Sequence, residues 1–416
     1  MRQKLSRYPL LAVFSTIFID LLGVGILIPV FPLLILPNSP ARIIPDTWSI
    51  GSGFILLGWL SAIYPLMQFI ATPILGEISD RWGRKIVLII SVIGTSISYA
   101  VFAYAIIHKN IPLLFISRAF DGLTGGNISV AQAVIADIST AKNRARNFGL
   151  VGMAFGLGFI LGPYIGGRLA DHSIASWFNA STPFWFASLL ALFNVFVIAT
   201  FLPETLHTRS KEFKLHLLKS LQNVTTAFTR PGLRHVMPST FLFNGGFTFF
   251  TTFFAVYLFK EFGFTQGNVG DYFAYIGLWI ALVQGLLTGF VAKLFKDWQV
   301  LRISMFGMAL ALLAYMIVPA GQYKWLFVVA PFVAVFSGLT QAFTPTIVSR
   351  VTPREIQGEA LGINASVAAL SQTIPAVISG YVASINTHLP VTVGAFFIAA
   401  AGAMFWLLYR PGVDDV

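Results

Sequence analysis

The chain of 416 residues contains no cysteine. Disulfides, thiolate metal sites and a cysteine nucleophile are excluded together, while the redox compartment stays open. Charge is the second scarcity: Asp, Glu, Lys and Arg make up 10% of the chain, where soluble domains carry about 25%. So few charges cannot clothe a globule of this length in water, which excludes a soluble enzyme, a secreted module and a disordered chain. Histidine is rare as well: His108, His172, His207, His216, His235 and His388 all fall in loops or at the ends of apolar runs. No HExxH, GxSxG or nucleotide-binding P-loop occurs. A hydrolase would need a nucleophile–base set or metal ligands that are not visible here, so no catalytic residue and no metal ligand is assigned.

What the chain has instead is apolar length. Hydrophobic residues make up 56% of it, with 40 Phe. A membrane-spanning helix needs about 20 mostly apolar residues. Runs of that kind fall at 9–36, 52–75, 86–107, 111–137, 147–170, 183–202, 236–260, 270–292, 300–319, 324–349, 358–384 and 390–409. Barrel strands alternate with period two over about ten residues, whereas these runs are apolar all round. The expectation is an all-α polytopic membrane protein with 12 transmembrane helices. The basic start from Met1 to Arg7 leads into a run too long for a signal h-region, so the first helix is expected to be its own insertion signal.

An even number of spans puts both termini on one side. Of the Lys and Arg residues, 21 fall on that side, five on the other (Arg42, Lys109, Arg168, Lys260 and Lys324), and Arg118 alone lies within a span. The positive-inside rule then places both termini in the cytoplasm. It also accounts for the net charge of +11 without a nucleic-acid partner.

The connection from 207 to 235 separates an N-terminal six-helix bundle, 1–206, from a C-terminal one, 236–416. It carries Leu217, Leu218, Leu221, Val224 and Phe228 at helical spacing, with Lys211, Lys214 and Lys219 beside them. That pattern reads as a basic amphipathic helix on the inner leaflet, a calmodulin-type target being the minor alternative. The halves repeat each other. Ser15–Asp20 resembles Ser239–Asn244 at an offset of 224, and Gly76, Gly149 and Gly167 fall on Gly289, Gly362 and Gly380 at an offset of 213. Two pseudo-symmetric six-helix halves with a midplane site between them form a transporter architecture.

Several motifs coincide on this frame: Gly76-Glu-Ile-Ser-Asp-Arg-Trp-Gly-Arg-Lys85 between the second and third spans, Arg118-Ala-Phe-Asp-Gly-Leu-Thr-Gly-Gly126 in the fourth, Gly156 to Gly167 in the fifth, and Leu202-Pro-Glu-Thr205 after the sixth. Together they resemble the major facilitator superfamily and, within it, the twelve-helix drug:proton antiporters. Leu66-Met-Gln-Phe69, Gly122-Leu-Thr-Gly125 and Arg144-Ala-Arg-Asn-Phe-Gly149 are similar to tetracycline efflux proteins. The resemblance implies a conformational latch built from Gly76, Asp80, Arg81, Gly83 and Arg84, with Asp137 as partner; plain topogenic positive charge is the bland alternative. On physical grounds Asp80 is suited to accept from helix N-terminal amides and Arg84 to grip a carboxylate. In the fifth span, Gly158, Gly162, Gly166 and Gly167 with Pro163 make a stripe that permits close helix approach. In the resembled family it is the antiporter motif of exporters, which favours efflux; ordinary close packing is the bland alternative.

The sharpest signal is charge inside the membrane. Asp20 lies near mid-bilayer, where a charge costs about 2.5–3.5 kcal/mol, so it is expected to face a cavity, be paired or be protonated. Arg118 is its expected partner, and Asp121 shares the face of Arg118. These three are the proton-coupling candidates, against the alternative that Arg118 and Asp121 merely neutralise each other. Gln68 resembles a tetracycline-recognition position, or is an ordinary satisfied polar residue. Asn244 is the repeat image of Asp20, and Phe247 sits in a Phe-rich seventh span that lines an apolar drug cavity or faces lipid. The resemblance has gaps: Ile280, Ala311 and Ser98 stand where tetracycline antiporters carry ionisable groups.

The expected function is proton-coupled efflux of an amphipathic small molecule or drug by alternating access. The alternatives are a proton-coupled or facilitative nutrient importer and a lipid transporter. The expected partners are a small-molecule substrate, protons and membrane lipid, with no cofactor beyond the proton gradient. A monomer in a bacterial inner membrane is the expected setting.

Overall fold

The computed structural model describes residues 8–37, 39–139, 144–206, 219–352 and 357–410. The basic residues Arg2, Lys4, Arg7, Lys142, Arg209, Lys211, Lys214 and Arg354, with Leu217 and Leu218, lie outside them. Among the described residues the chain is helical and contains no strand.

The first half comprises α1 (Pro9–Val30), α2 (Ile50–Trp82), α3 (Arg84–Ile107), α4 (Ile111–Thr124), α5 (Asn127–Ile138), α6 (Arg144–Leu169) and α7 (Thr182–Phe201). After α8 (Lys219–Thr229) come α9 (Met237–Phe262), α10 (Gln266–Leu282), α11 (Thr288–Leu294), α12 (Asp297–Ile317), α13 (Lys324–Arg350), α14 (Gln357–Ile385) and α15 (Leu389–Leu408). Eleven helical segments among the described residues are long and apolar enough to span a bilayer. The expected fourth span, 111–137, is instead two helices, α4 and α5, interrupted at Gly125 and Gly126. The eighth is also irregular: a π-helical turn, Val283–Leu287, joins α10 to α11.

Lateral faces carry the apolar surface. On α3, Ile86, Ile90, Ile93, Ile97 and Tyr104 are exposed at helical spacing while Val87, Leu88, Ser91, Thr95 and Tyr99 are buried. This inverts the pattern of a surface helix in a soluble protein and suits a lipid solvent. Interior contacts are small and polar. Ser15 donates to Asn194 at 2.7 Å, joining α1 to α7, and the hydroxyls of Ser96 and Ser188 lie 3.2 Å apart between α3 and α7. Such side chains hold helices together where lipid offers no hydrophobic gain.

The helices form two compact units, Met1–Pro45 with Ile63–Ser220, and Asp46–Ala62 with Leu221–Val416. Within the second, the start of α2 lies against α14, where Gly58 meets Gly380. The repeat is visible in the helix starts: α3 and α12, α4 and α13, and α6 and α14 each begin 213 residues apart. In α8, Ser220 donates to the Phe69 carbonyl and Lys219 pairs with Glu77 at 2.9 Å.

Candidate functional site

The first unit holds a polar centre built from four helices. α1 presents Asp20, buried at 4% exposure, well inside a 22-residue helix with no other charge. α4 starts cleanly, because Asn110 accepts from the Leu113 N–H at 3.0 Å. Arg118 and Asp121 therefore lie one turn apart on its buried face. Arg118 Nη1 pairs with Asp121 Oδ2 at 2.5 Å, and the guanidinium sits 4.6 Å from the centre of the Tyr64 ring. From α2, Gln68 donates to the Gly125 carbonyl at 2.9 Å and to the Tyr64 hydroxyl at 3.2 Å. From α3, the Tyr99 hydroxyl fills the space that a Cβ on Gly23 would need.

This arrangement corrects one sequence expectation. Arg118 is paired with Asp121, not with Asp20. A partner three residues along the same helix needs no second helix to position it, so the near carboxylate takes the guanidinium. Among the described residues Asp20 has no ion-pair partner, and its Oδ2 has no hydrogen bond. Asn127, the first residue of α5, is fully buried and both polar atoms of its amide lack a partner. It lies within interaction range of the Asp20 carboxyl. Sequence reasoning missed Tyr64, Tyr99 and Asn127. The signals available were the four-residue spacing of Tyr64 from Gln68 and an amide placed directly after a Gly-Gly pair.

Gln68 ties α2 to the interruption in the fourth span, a role that an ordinary satisfied polar residue fills. Ser129 adds to it, donating to Thr72 O at 3.2 Å. Among the described residues of the second unit, no Asp, Glu, Lys or Arg is buried in the middle of a helix as Asp20 is. Asn244 on α9 is half-buried, and its carbonyl accepts from Thr248 at 2.9 Å. Phe247 is half-buried and stacks on Phe243 at 6.4 Å. Phe243, Phe249, Phe250, Phe253 and Phe254 are core residues of the unit, so neither lipid facing nor lining of an open cavity holds for them.

The latch motif is compact because α2 and α3 are separated by Gly83 alone. Arg84 pairs with Asp80 at 2.6 Å and with Asp137 at 3.3 Å, and donates to Ser79 Oγ at 2.6 Å. Arg81 closes α2 in its last turn, and Gly76 faces open space. The α3 N-terminal amides go to Glu204 rather than to Asp80: Arg84 N–H donates to Glu204 Oε1 at 2.9 Å and Lys85 N–H to Oε2 at 3.3 Å. Asp80 is drawn off by the guanidinium, which leaves the helix end to the Pro-Glu-Thr carboxylate. Gly83 has φ +111°, and a Cβ there would fall on that carboxylate. Left-handed backbone costs an L-residue about 1–2 kcal/mol. Gly83→Ala is therefore expected to destabilise the protein by about 2 kcal/mol in thermal unfolding of the detergent-solubilised form. Gly76→Ala, with nothing within 4 Å of its Cβ, is the control expected to be neutral.

The glycine stripe packs α6 against α1. A Cβ on Gly158 would lie 2.7 Å from Leu21 Cβ, one on Gly162 2.8 Å from Gly25 Cα, and one on Gly166 2.7 Å from Ile26 O. Pro163 packs on Gly25 from the same side, and Gly167 is buried beyond it.

The description Major Facilitator Superfamily belongs to the family whose sequence model matches residues 13–371. The class C tetracycline resistance protein of Escherichia coli is 28% identical over 384 residues, 92% of each chain. Multidrug resistance protein 1 of Bacillus subtilis (strain 168) is 28% identical over 381 residues, 90% of each chain. Among solved structures, a D-xylose-proton symporter superposes with a TM-score of 0.76 at 16% identity, covering 96% of this chain and 98% of the other.

Proposed function

Because the chain belongs to the major facilitator superfamily and is a membrane transporter rather than an enzyme, we propose that it exports an amphipathic small molecule in exchange for protons, by alternating access. The observation that carries this reading is the orphaned carboxyl oxygen of Asp20. The neighbouring Arg118 and Asp121 satisfy each other, so their charges cancel. Asp20 is then the uncompensated group of the centre. Its open oxygen is satisfied by a proton or by the cationic part of a substrate, but not by both at once. Mutual exclusion at one carboxyl is the exchange that an antiporter performs, and reciprocal coupling follows from it.

Related proteins named for tetracycline resistance and multidrug resistance support a drug-like substrate. Tetracycline itself is disfavoured by Ser98, Ile280 and Ala311, which supply none of the ionisable groups expected at those positions. Arg118 and Asp121 shape the centre, Gln68 and Asn127 border it, and Asn244 and Phe247 are the contact candidates of the second unit. The proton gradient is the energy source, with no cofactor. The working unit is one chain in a bacterial inner membrane, with both termini in the cytoplasm.

The test is proton release in liposomes with a trapped pH dye, on adding tetracyclines, dyes and cationic drugs, for wild type and Asp20→Asn. Coupling free energies of 1–3 kcal/mol correspond to about 5- to 150-fold. Substrate-induced proton movement is expected to fall by a factor in that range in Asp20→Asn, and exchange of cationic substrates to weaken with it, because one carboxyl serves both occupants. Flux through the wild type that ignores the pH gradient would sink the reading.

A further inference from the structure

Two arginines at one end of the second unit have no carboxylate. Arg302 is the sixth residue of α12, and Arg410 follows the end of α15. Among the described residues neither forms an ion pair. The Arg302 guanidinium donates to backbone alone: Nη2 meets Tyr409 O at 3.1 Å and Trp406 O at 3.5 Å. It lies 4.6 Å from the centre of the Trp298 ring. Arg302 Nε and Trp298 Nε1 are both buried without an acceptor. Arg410 is exposed, and its own backbone N is bonded to the carbonyl carbon of Tyr409 that Arg302 grips.

The charges do not balance. A helix C-terminus offers about half a negative charge, so two guanidinium groups at the end of α15 leave a net positive charge. Such a charge is costly in hydrocarbon. Arg302 enters α12 by five residues, about 7.5 Å from its start, and its long side chain reaches back to the last carbonyls of α15. That is the level at which spanning helices end and headgroups begin. Below it runs an apolar groove. Phe306 stands one turn beyond Arg302 and packs where α12 meets Gly402 of α15. Ile303, Phe306, Trp406 and Leu407 are exposed along it, which on spanning helices is a lipid-facing position. A small soluble anion would leave these walls uncovered. A molecule with a phosphate at one end and acyl chains at the other satisfies both parts.

We propose that Arg302 and Arg410 bind the phosphate of an anionic phospholipid whose acyl chains lie in the groove between α12 and α15. A guanidinium presents paired N–H donors that match phosphate geometry, and basic pockets between spanning helices hold anionic headgroups. Trp298 and the α15 carbonyls hold the Arg302 guanidinium in place for this contact. The site is separate from the polar centre around Asp20 and requires neither export nor proton exchange. The test is native mass spectrometry of the full chain in non-ionic detergent. It is titrated with 1-palmitoyl-2-oleoyl phosphatidylglycerol and, in parallel, with phosphatidylcholine of the same acyl chains. The variants are Arg302→Gln, Arg302→Lys and Arg410→Gln. Lys324→Gln, at the opposite end of the spans, is the control.

The wild type is expected to bind phosphatidylglycerol more tightly than phosphatidylcholine. Affinity for the first phosphatidylglycerol is expected to fall about fivefold in Arg302→Gln and in Arg410→Gln, the weight of one cation near an anionic bilayer surface. Arg302→Lys, which keeps the charge and loses the paired donors, is expected to fall between Arg302→Gln and the wild type. Lys324→Gln is expected to match the wild type. Equal affinity for the two lipids, or wild-type phosphatidylglycerol affinity in both glutamine variants, overturns the proposal. So does an equal loss in Lys324→Gln, which would mark diffuse surface charge. Displacement of the lipid by millimolar glycerol 1-phosphate would assign the site to a soluble anion and overturn the lipid as occupant. Arg410→Gln keeps the test open if Arg302→Gln does not fold, because the Arg410 side chain makes no bond among the described residues.

Discussion

Arg118→Ala is expected to lower the stability of the protein by about 3–5 kcal/mol, the cost of leaving one member of a buried ion pair without the other. The side chains of Arg118 and Asp121 are 5% and 3% exposed, so water cannot replace the lost partner. The stacking on Tyr64 goes with it. Thermal unfolding in detergent reads this loss directly. The informative companion is the double variant Arg118→Met with Asp121→Leu. Replacing a buried pair by apolar residues of similar volume is often neutral or stabilising, so folding is expected to return. Transport is not expected to return with it, because the centre then loses the groups that surround Asp20. A double variant that both folds and transports like the wild type would reduce the pair to scaffolding.

Gly162→Leu is the second large effect. Even the first added carbon would lie 2.8 Å from Gly25 Cα and from Leu22 O. Both are backbone atoms, which cannot rotate away as a side chain does. Overpacking typically costs about 1–3 kcal/mol and occasionally more, and a backbone obstacle places this substitution at or above the top of that range. α1 would be pushed off α6, and Asp20 is carried on α1. Export is therefore expected to fall more steeply than the amount of folded protein, a comparison made by normalising liposome flux to protein that elutes as a single species. Gly152→Leu on the same helix faces open space and is expected to leave stability unchanged.

Much of the fold was legible because a bilayer leaves a chain few options. Long runs apolar on every side have to be helices, and eleven such helices stand where runs of that kind fall. The interruption at Gly125 and Gly126 was not legible. A hydropathy window sees an apolar stretch, whereas the break depends on Gln68 and Ser129, whose bonds cross from one helix to another. The polar centre was half legible. Asp20, Arg118 and Asp121 stand out as charges in lipid, but charge alone does not say which carboxylate the guanidinium takes. Glu204 was visible in its Pro-Glu-Thr setting, yet its duty as a cap for α3 arises only once Arg84 has claimed Asp80. Asn127 and Tyr99 were silent because amides and tyrosines are unremarkable in membrane helices until their surroundings are known.

The split fourth span also bears on biogenesis. At 1.5 Å per residue, the 14 residues of α4 and the 12 of α5 reach about 21 and 18 Å, and a hydrocarbon core is about 30 Å thick. Neither piece crosses on its own, and carbonyls freed at the join are costly in lipid until something donates to them. The donor to Gly125 is Gln68 of α2, synthesised more than 50 residues earlier. The donor is therefore made before the segment that it holds. A truncation that removes α2 is expected to leave the Gly125 carbonyl without this donor and so to disfavour the interrupted form.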